Sequence, residues 1–304
     1  MTLIDKEAIW VEGWYELTEH ADGVVSIGEP NHQEEVYSYL VRGQGADLLI
    51  DTGMGVVPIG HALEKVRNSD KPLIVVNTHS HFDHIGGNGA FESVLVSKNE
   101  AEVATLNRGW SAEDLARYSF ARGFRRHDGV NNTPSNFDAI GFSIPPQTNF
   151  MPVLCDKFNF DLGGRVVEVI ETPGHTPGGL CFFDKTNRLL FSGDMLYEGP
   201  LYAFEGESDP EAYLRSLKRI KRLFGDDIRV IHPGHNFPEN EGEPKLLDEA
   251  IKLFKMVKDK APYDAKSLDF PGAVEYVQPG LLRRNGNGKR RLSVVVSKDY
   301  VKWD

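Results

Sequence analysis

A predicted strand at residues 73–77 leads into the stretch Thr78-His79-Ser80-His81-Phe82-Asp83-His84-Ile85-Gly86-Gly87. Imidazole is the commonest metal ligand in proteins at neutral pH, and zinc also accepts carboxylate oxygen. Three histidines and one aspartate within six residues, at the point where a strand gives way to a loop, therefore predict a metal site. The candidate ligands in this stretch are His79, His81, Asp83 and His84.

Three later loops each follow a predicted strand and offer one further candidate ligand. A glycine stands immediately before each candidate, which lets the backbone turn tightly and the side chain reach inward. His232 lacks such a glycine, so we expect it to be structural. The isolated histidines His20, His32, His61 and His127 are expected to be surface or incidental residues. The loops are Thr172-Pro173-Gly174-His175, Ser192-Gly193-Asp194 and His232-Pro233-Gly234-His235.

Strand-like and helical patterns alternate along the chain, which predicts an α/β protein. Asp209 is expected to cap a helix that has Pro210 at its first position. Another helix is indicated after Asp51, where residues 59, 63 and 66 fall on one apolar face. Strands are predicted at residues 46–50, 73–77, 166–170, 188–191 and 229–231.

Composition and charge exclude several classes of protein. The chain has 304 residues, 40% of them hydrophobic, which is typical of globular proteins. The net charge of −11 repels polyanions, so no nucleic-acid partner is expected. No apolar run is long enough to predict a membrane span, and residues 1–11 lack a signal-peptide pattern. We therefore expect a cytoplasmic protein that acts on a small molecule and can also form a homodimer.

The domain organisation is predicted to be a single domain over residues 1–304. Residues of about 105–152 are rich in aromatic side chains among Gly, Asn and Pro, which indicates a helix followed by an irregular segment. This insertion could be a lid over a pocket, or its rings could anchor it to the core. Residues of about 262–304 form a C-terminal extension.

With these loops in place, the sequence resembles the metallo-β-lactamase superfamily from Asp51 to about His235. The resemblance implies a four-layer αββα sandwich, with the metal loops along one edge of the two sheets. It implies two zinc ions, with iron, manganese or cobalt as alternatives. Asp51 matches a carboxylate that orients a metal-binding histidine. One ion would be bound by His79, His81 and His175, the second by Asp83, His84 and His235, and Asp194 would bridge both.

The resemblance also narrows the chemistry. Asp194 stands where β-lactamases with a cysteine ligand would need sulfur. Glyoxalase II, lactonase and RNase Z relatives have an aspartate at this position, as this sequence does. A tyrosine three residues after this aspartate is found in acyl-homoserine lactonases and in some acyl thioesterases. Asp83 and Tyr197 are therefore the candidate catalytic residues. The candidate substrate-pocket residues are Phe137, Phe142 and Phe150.

Hydrolysis by a hydroxide shared between two ions is the implied reaction. The first choice of substrate is a carboxylic ester or lactone of the N-acyl homoserine lactone kind. The alternative is an acyl thioester, as for glyoxalase II. Further alternatives are a β-lactamase, a phosphotriesterase, a mononuclear iron persulfide dioxygenase and a catalytically silent binding module.

Overall fold

A computed structural model describes residues 8–67, 70–101, 108–124, 131–204, 208–236, 243–259, 264–267, 273–277 and 292–297. The chain divides into two units, the first formed by residues 1–154 and 160–166 and the second by residues 155–159 and 167–304. The single-domain assignment for residues 1–304 stays a prediction. Among the described residues, no helix combines the length and the apolar character needed to cross a membrane.

An eight-stranded sheet forms the centre of the first unit, with its strands in the order of the sequence. Neighbouring strands are antiparallel from β1 to β5 and parallel from β5 to β8. The strands are β1 (Ile9–Val11), β2 (Tyr15–Glu19), β3 (Val24–Gly28), β4 (Tyr37–Arg42), β5 (Asp47–Ile50), β6 (Leu73–Val76), β7 (Val94–Ser97) and β8 (Phe150–Leu154).

The parallel pair β5 and β6 positions the first set of candidate ligands. Ile50 and Val76 are partners at the ends of these strands. The carboxyl ends of parallel neighbours lie at the same edge of a sheet, which is where α/β proteins place ligand-binding loops. Asp51, directly after β5, and Thr78, two residues after the end of β6, are therefore brought side by side.

The helices of the first unit are short. The expected apolar face of α1 is present, since Ile59 and Leu63 are buried and Val66 packs against the same core. α4 begins at a capping box in which the Ser111 hydroxyl accepts the Asp114 N–H. The helices are α1 (Ile59–Val66), α2 (Phe82–Ile85), α3 (Lys98–Ala101), α4 (Ala112–Arg117) and α5 (Phe120–Gly123).

The aromatic segment packs onto the core of the first unit. Phe120 stacks on Phe142 with ring centroids 5.2 Å apart, and Phe137 lies 5.0 Å from Phe142. Phe120 also meets Phe82 of α2, at 5.9 Å. Phe150 belongs to strand β8 rather than to an irregular segment. These contacts anchor the insertion, and its use as a lid stays a prediction.

His32 is a buried residue of this core, so its expected surface position is wrong. Only 2% of it is exposed. The backbone N–H of Glu34 donates to Nδ1 at 3.3 Å, and Nε2 lies 2.9 Å from the carbonyl oxygen of Phe120. Nε2 must therefore carry the proton and donate to that carbonyl, which fastens α5 to the loop after β3. His127 lies outside the described residues.

Two sheets occupy the second unit. The first contains neighbouring strands in the order β14-β12-β11-β10, with β12 and β14 parallel and the other pairs antiparallel. The second has the order β13-β17-β16-β15 and includes described parts of the C-terminal extension. Strand β9 (Asn159–Asp161) spans the division of the chain at residue 160. The strands of the two sheets are β10 (Val166–Glu171), β11 (Leu180–Asp184), β12 (Leu189–Gly193), β13 (Pro200–Ala203), β14 (Val230–Pro233), β15 (Asp264–Ser267), β16 (Ala273–Val277) and β17 (Ser293–Ser297).

Two longer helices, α6 (Pro210–Phe224) and α7 (Lys245–Lys258), belong to the second unit. The predicted cap of α6 is present, because an Asp209 carboxylate oxygen accepts the backbone N–H groups of Glu211 and Ala212 at 2.8 and 3.0 Å. Tyr213 of α6 stacks on Phe254 of α7, with ring centroids 4.4 Å apart. α6 thus has a fixed N-terminus and a fixed apolar face.

The contact between His32 and α5 predicts a stability effect at Gly123. A Cβ atom at this position would lie 2.2 Å from Nε2 of His32, so Gly123→Ala should destabilise the fold by about 1–3 kcal/mol through overpacking. Gly60→Ala in α1 is the control, because its Cβ would meet nothing within 4 Å and alanine favours the helix by about 0.5–1 kcal/mol. Chemical denaturation of both variants measures the difference, and equal stabilities would contradict the assigned contact.

Candidate metal centre

The first unit gathers four of the predicted ligands at the carboxyl end of β6. His79 and His84 are buried with ring centroids 4.2 Å apart, and His81 lies 4.6 Å from His79. Oδ2 of Asp83 is 3.9 Å from Nε2 of His84. The short helix α2 begins after His81, so the last two ligands project from its first turn. The structure therefore brings this part of the predicted set together.

Asp51 holds this ligand loop in place. Its Oδ1 accepts the backbone N–H of Thr78 at 2.7 Å, and its Oδ2 accepts the Thr78 hydroxyl at 2.8 Å. Nδ1 of His84 lies 2.8 Å from the same Oδ2. Asp51 adopts a left-handed backbone conformation, with φ at 61°, which is strained for a residue other than glycine. The hydrogen bonds stabilise that conformation.

These contacts decide which nitrogen of each imidazole is available. A carboxylate only accepts hydrogen bonds, so Nδ1 of His84 must carry the proton that faces Asp51. The Thr78 hydroxyl gives its proton to Asp51, and its oxygen therefore accepts from Nδ1 of His79, 3.0 Å away. Both rings then carry an electron pair on Nε2 when neutral, which is the form that binds a metal.

In the second unit, helix α6 fixes the loop that carries His175. Gly174 has φ at 146°, and a Cβ atom there would lie 2.3 Å from the Cα atom of Tyr213, so only glycine fits against the helix. The N–H of Asp209 donates to the Gly174 carbonyl at 2.9 Å, and the Ser208 hydroxyl donates to the His175 carbonyl at 2.7 Å. The loop backbone is thus held by two consecutive residues immediately before α6.

Asp194 lies between the two histidines of the second unit. Its Oδ2 is 3.4 Å from Nε2 of His175 and 3.1 Å from Nε2 of His235. Gly234 makes room for it, because a Cβ atom there would lie 2.6 Å from Oδ1 of Asp194. The phenol of Tyr213 donates to the Asp194 carbonyl at 2.6 Å. Burial, and then the Asp194 charge, raise the pKa of that phenol well above its usual value, so it stays protonated as a donor.

The chemistry of these donor groups fits a divalent cation. Nδ1 of His175 lies 2.9 Å from the carbonyl oxygen of Tyr202, so it carries a proton, and Nε2 of the neutral ring has only an electron pair. That electron pair faces the Asp194 carboxylate, and two electron-pair donors at this distance repel unless a proton or a metal cation lies between them. The residues that could hold a metal are His79, His81, Asp83 and His84 in the first unit, and His175, Asp194 and His235 in the second.

A further buried acid lies behind the ligands of the first unit. Glu29 accepts the indole N–H of Trp14 at 2.7 Å and the backbone N–H of Met54 at 2.9 Å. Burial is the main cause that raises the pKa of Glu29 to about 7. The two hydrogen bonds and the charge of His84 oppose this rise, whereas the charge of Asp83 adds to it. The ligand loop therefore lies in an environment where additional negative charge is costly.

Tyr197 lies beside a candidate ligand but its hydroxyl is engaged. The phenol donates to the Pro200 carbonyl at 2.5 Å, and its ring centroid is 5.4 Å from that of His235. His232, in strand β14, stacks on Phe191 of β12 with ring centroids 5.0 Å apart. Among the described residues, it belongs to neither group that could hold a metal.

The three candidate pocket residues do not play equivalent parts. Phe137 lines a cavity of about 400 Å³ in the first unit, together with Trp14, Val56 and Val57. Phe142 instead stacks on Phe120, and Phe150 lies in strand β8. Of the three, Phe137 alone is among the residues that line this cavity.

The residues that orient the ligands were largely missed from the sequence. Thr78 precedes His79 directly, so its hydroxyl was visible in the motif, but its bond to Asp51 spans 27 positions. Ser208 is 33 positions from His175 and belongs to the loop before α6. The Tyr202 carbonyl is a backbone group and leaves no mark in the sequence.

Comparisons with known proteins identify the family of this chain. Residues 33–235 match the family described as the Metallo-beta-lactamase superfamily. Acyl-coenzyme A thioesterase MBLAC2 of Homo sapiens is 31% identical over 236 residues, which cover 73% of this chain and 81% of that protein. The N-acyl homoserine lactonase of Bacillus thuringiensis is 26% identical over 254 residues, which cover 71% of this chain and 86% of that protein.

Solved structures show the same fold. A metallo-beta-lactamase from Pontibacter korlensis superimposes with a TM-score of 0.55 at 19% identity, covering 79% of this chain and 99% of that chain. The fold predicted from the ligand motif, an α/β sandwich of the metallo-beta-lactamase type, is therefore confirmed.

The position of Asp194 predicts different outcomes for two neighbouring substitutions. Asp194→Ala removes the carboxylate that faces His175 and His235. Metal affinity and activity should therefore fall together, each by more than the ~10- to 100-fold that is typical when a residue that only supports a ligand is lost. His232→Ala should lower the melting temperature but keep most of the metal. Elemental analysis after dialysis measures both, and equal metal loss in the two variants would show that the wrong loop has been chosen.

Proposed function

We propose that this chain, which belongs to the metallo-beta-lactamase superfamily, hydrolyses acyl thioesters of the acyl-coenzyme A class. The observation that carries the hydrolytic chemistry is the Asp194 carboxylate oxygen, which faces one imidazole nitrogen of His175 and one of His235. A carboxylate in this position is suited to bridging two cations. The choice of thioester rests on the human relative.

Two divalent ions are part of the proposal, with zinc as the first choice because imidazole and carboxylate groups are its usual ligands in catalytic sites. Ions held there would lower the pKa of water and polarise the scissile carbonyl oxygen. The first ion would be held by His79, His81 and His175 and the second by Asp83, His84 and His235, with Asp194 shared.

The protein's own groups prepare this chemistry before substrate arrives. Asp51 holds the proton of His84 on Nδ1 and, through Thr78, that of His79 on Nδ1, so neither ring needs to change tautomer on binding a metal. Asp83 and Asp194 supply negative charge that offsets the charge of the ions. Preorganised groups of this kind lower the free energy of the transition state because they need no reorganisation during the reaction.

A lactone is the second candidate substrate. The sequence motif favoured it, and the Bacillus thuringiensis relative is named as a lactonase. Thioesters and lactones both present an acyl carbonyl with a leaving heteroatom, so the metal ligands serve either one. The thioester is preferred because the thioesterase relative is the more similar, at 31% against 26% identity.

The proposal is tested with substrates that share one acyl chain. The zinc-loaded chain should hydrolyse acyl-coenzyme A with kcat/KM at least ~10-fold higher than for the homoserine lactone of the same acyl group, a difference of about 1.4 kcal/mol in transition-state binding. Thiol release and ring opening are measured in parallel, and a β-lactam serves as the unrelated control. Faster lactone opening would return the assignment to a lactonase, and no hydrolysis of any acyl substrate would contradict the proposal.

Tyr197→Phe tests the proposed catalytic role of the phenol. To assist the leaving group, the Tyr197 hydroxyl must release the Pro200 carbonyl and donate to the substrate. Removal of this hydroxyl should therefore lower kcat by ~10- to 1000-fold while the metal content stays unchanged. Steady-state kinetics with zinc analysis measures this. An unchanged kcat with a lower melting temperature would assign the hydroxyl to the Pro200 loop alone.

A further inference from the structure

A second buried carboxylate, that of Glu100, contacts the ligand loop at a different residue from those that Asp51 contacts. Glu100 in α3 is 1% exposed. Its Oε1 accepts both the backbone N–H of Ser80, at 2.8 Å, and the Ser80 hydroxyl, at 2.7 Å. The backbone N–H of Glu100 itself donates to the Ser97 hydroxyl at 2.9 Å, which ties the acid to the end of β7.

Ser80 is fixed at every polar group it has. Besides the two bonds to Glu100, its carbonyl accepts the indole N–H of Trp110 at 3.2 Å. The Trp110 ring in turn meets the His81 ring edge to face, with centroids 6.1 Å apart. Ser80 is fully buried, so loss of these partners would leave polar groups without water to replace them.

Ser80 separates the two histidines of the motif. The rings of His79 and His81 lie together with centroids 4.6 Å apart, whereas the Ser80 hydroxyl between them in sequence is bonded to Glu100. A bond that holds the Ser80 side chain towards Glu100 therefore turns His79 and His81 together towards the opposite side. Asp51 has a different role, because its carboxylate bonds to Thr78 and His84.

We propose that Glu100 is a positioning residue that sets the affinity of the metal held by His79 and His81, acting through the backbone and hydroxyl of Ser80. The inference rests on the proposed function, because it takes these two histidines as metal ligands. Both hydrogen bonds fall on one oxygen of Glu100, so the role requires an acceptor atom at that point and not a negative charge.

Substitutions at Glu100 separate position from charge. Glu100→Gln keeps an amide oxygen that can accept both Ser80 groups, so zinc affinity should stay within about threefold of wild type. Glu100→Leu has similar bulk but no acceptor, and it should weaken zinc binding ~10- to 100-fold, the usual effect of losing a group that supports a metal ligand. Ser80→Ala deletes one of the two bonds with little change in volume and should give an intermediate loss.

The matched control is Asp47→Asn. Asp47 is also 1% exposed in the first unit, but its carboxylate binds Lys71, at 2.8 Å, and the backbone N–H of Gly43, at 3.3 Å. This variant should lose thermal stability while its zinc affinity stays at the wild-type value, which separates general destabilisation from an effect on the ligand loop.

The experiment is a zinc titration of the metal-free full-length chain against a chromophoric chelator, with the melting temperature recorded with and without zinc. Visible spectra of cobalt-loaded protein report the ligand geometry of each variant. If Glu100→Leu does not fold without metal, Ser80→Ala and Glu100→Gln carry the comparison.

The outcomes distinguish the two proposals. A wild-type chain that binds no zinc would overturn the proposed function itself. Wild-type binding with an equal affinity for Glu100→Leu, or for Ser80→Ala where the leucine variant does not fold, would overturn the positioning role alone. A Glu100→Gln variant as weak as Glu100→Leu would also overturn it, because charge and not the position of the acceptor would then be responsible.

Discussion

The first half of the metal centre depends on the hydrogen bonds of one buried carboxylate, that of Asp51. The side chain follows β5 and reaches Thr78, which follows the parallel neighbour β6, so a short side chain can join the two loops. The same oxygen then orients His84. The strained backbone of Asp51 costs on the order of 1–3 kcal/mol and persists because these bonds hold it.

Buried negative charge is the second constraint on this centre. Burial and the charge of Asp83 both raise the pKa of Glu29, which shows how poorly the interior of the first unit solvates anions. Divalent cations held by the candidate ligands would offset that charge, and their binding would then add to folding stability. The chain is a hydrolase of its superfamily.

Substrate selection depends on a different part of the protein. The ligand set is indifferent to whether the leaving atom of an acyl group is sulfur or oxygen, which is why the motif alone favoured a lactone while the relatives favour a thioester. Specificity must come from the surfaces that receive the acyl chain and the leaving group.

The sequence by itself determined the fold and the seven candidate ligands. The spacing of His79, His81, Asp83 and His84 is local, and the glycine before each later ligand is a requirement of the backbone that a sequence displays directly. Strand β5 and helix α6 were also predictable, because an apolar run and the capping residue Asp209 are local features of the sequence.

Tertiary structure alone decided what holds those ligands in their working form. His32 looks incidental in the sequence, yet it fastens α5 because a carbonyl 88 positions away needs a donor. The contact from Glu100 to Ser80 spans 20 positions, and that from Ser208 to His175 spans 33. Such bonds join groups that are neighbours only after the strands have paired, and a single acceptor oxygen can be supplied by many residues or by the backbone. The residue pattern therefore indicates which side chains could bind a metal, whereas folding decides which groups orient them.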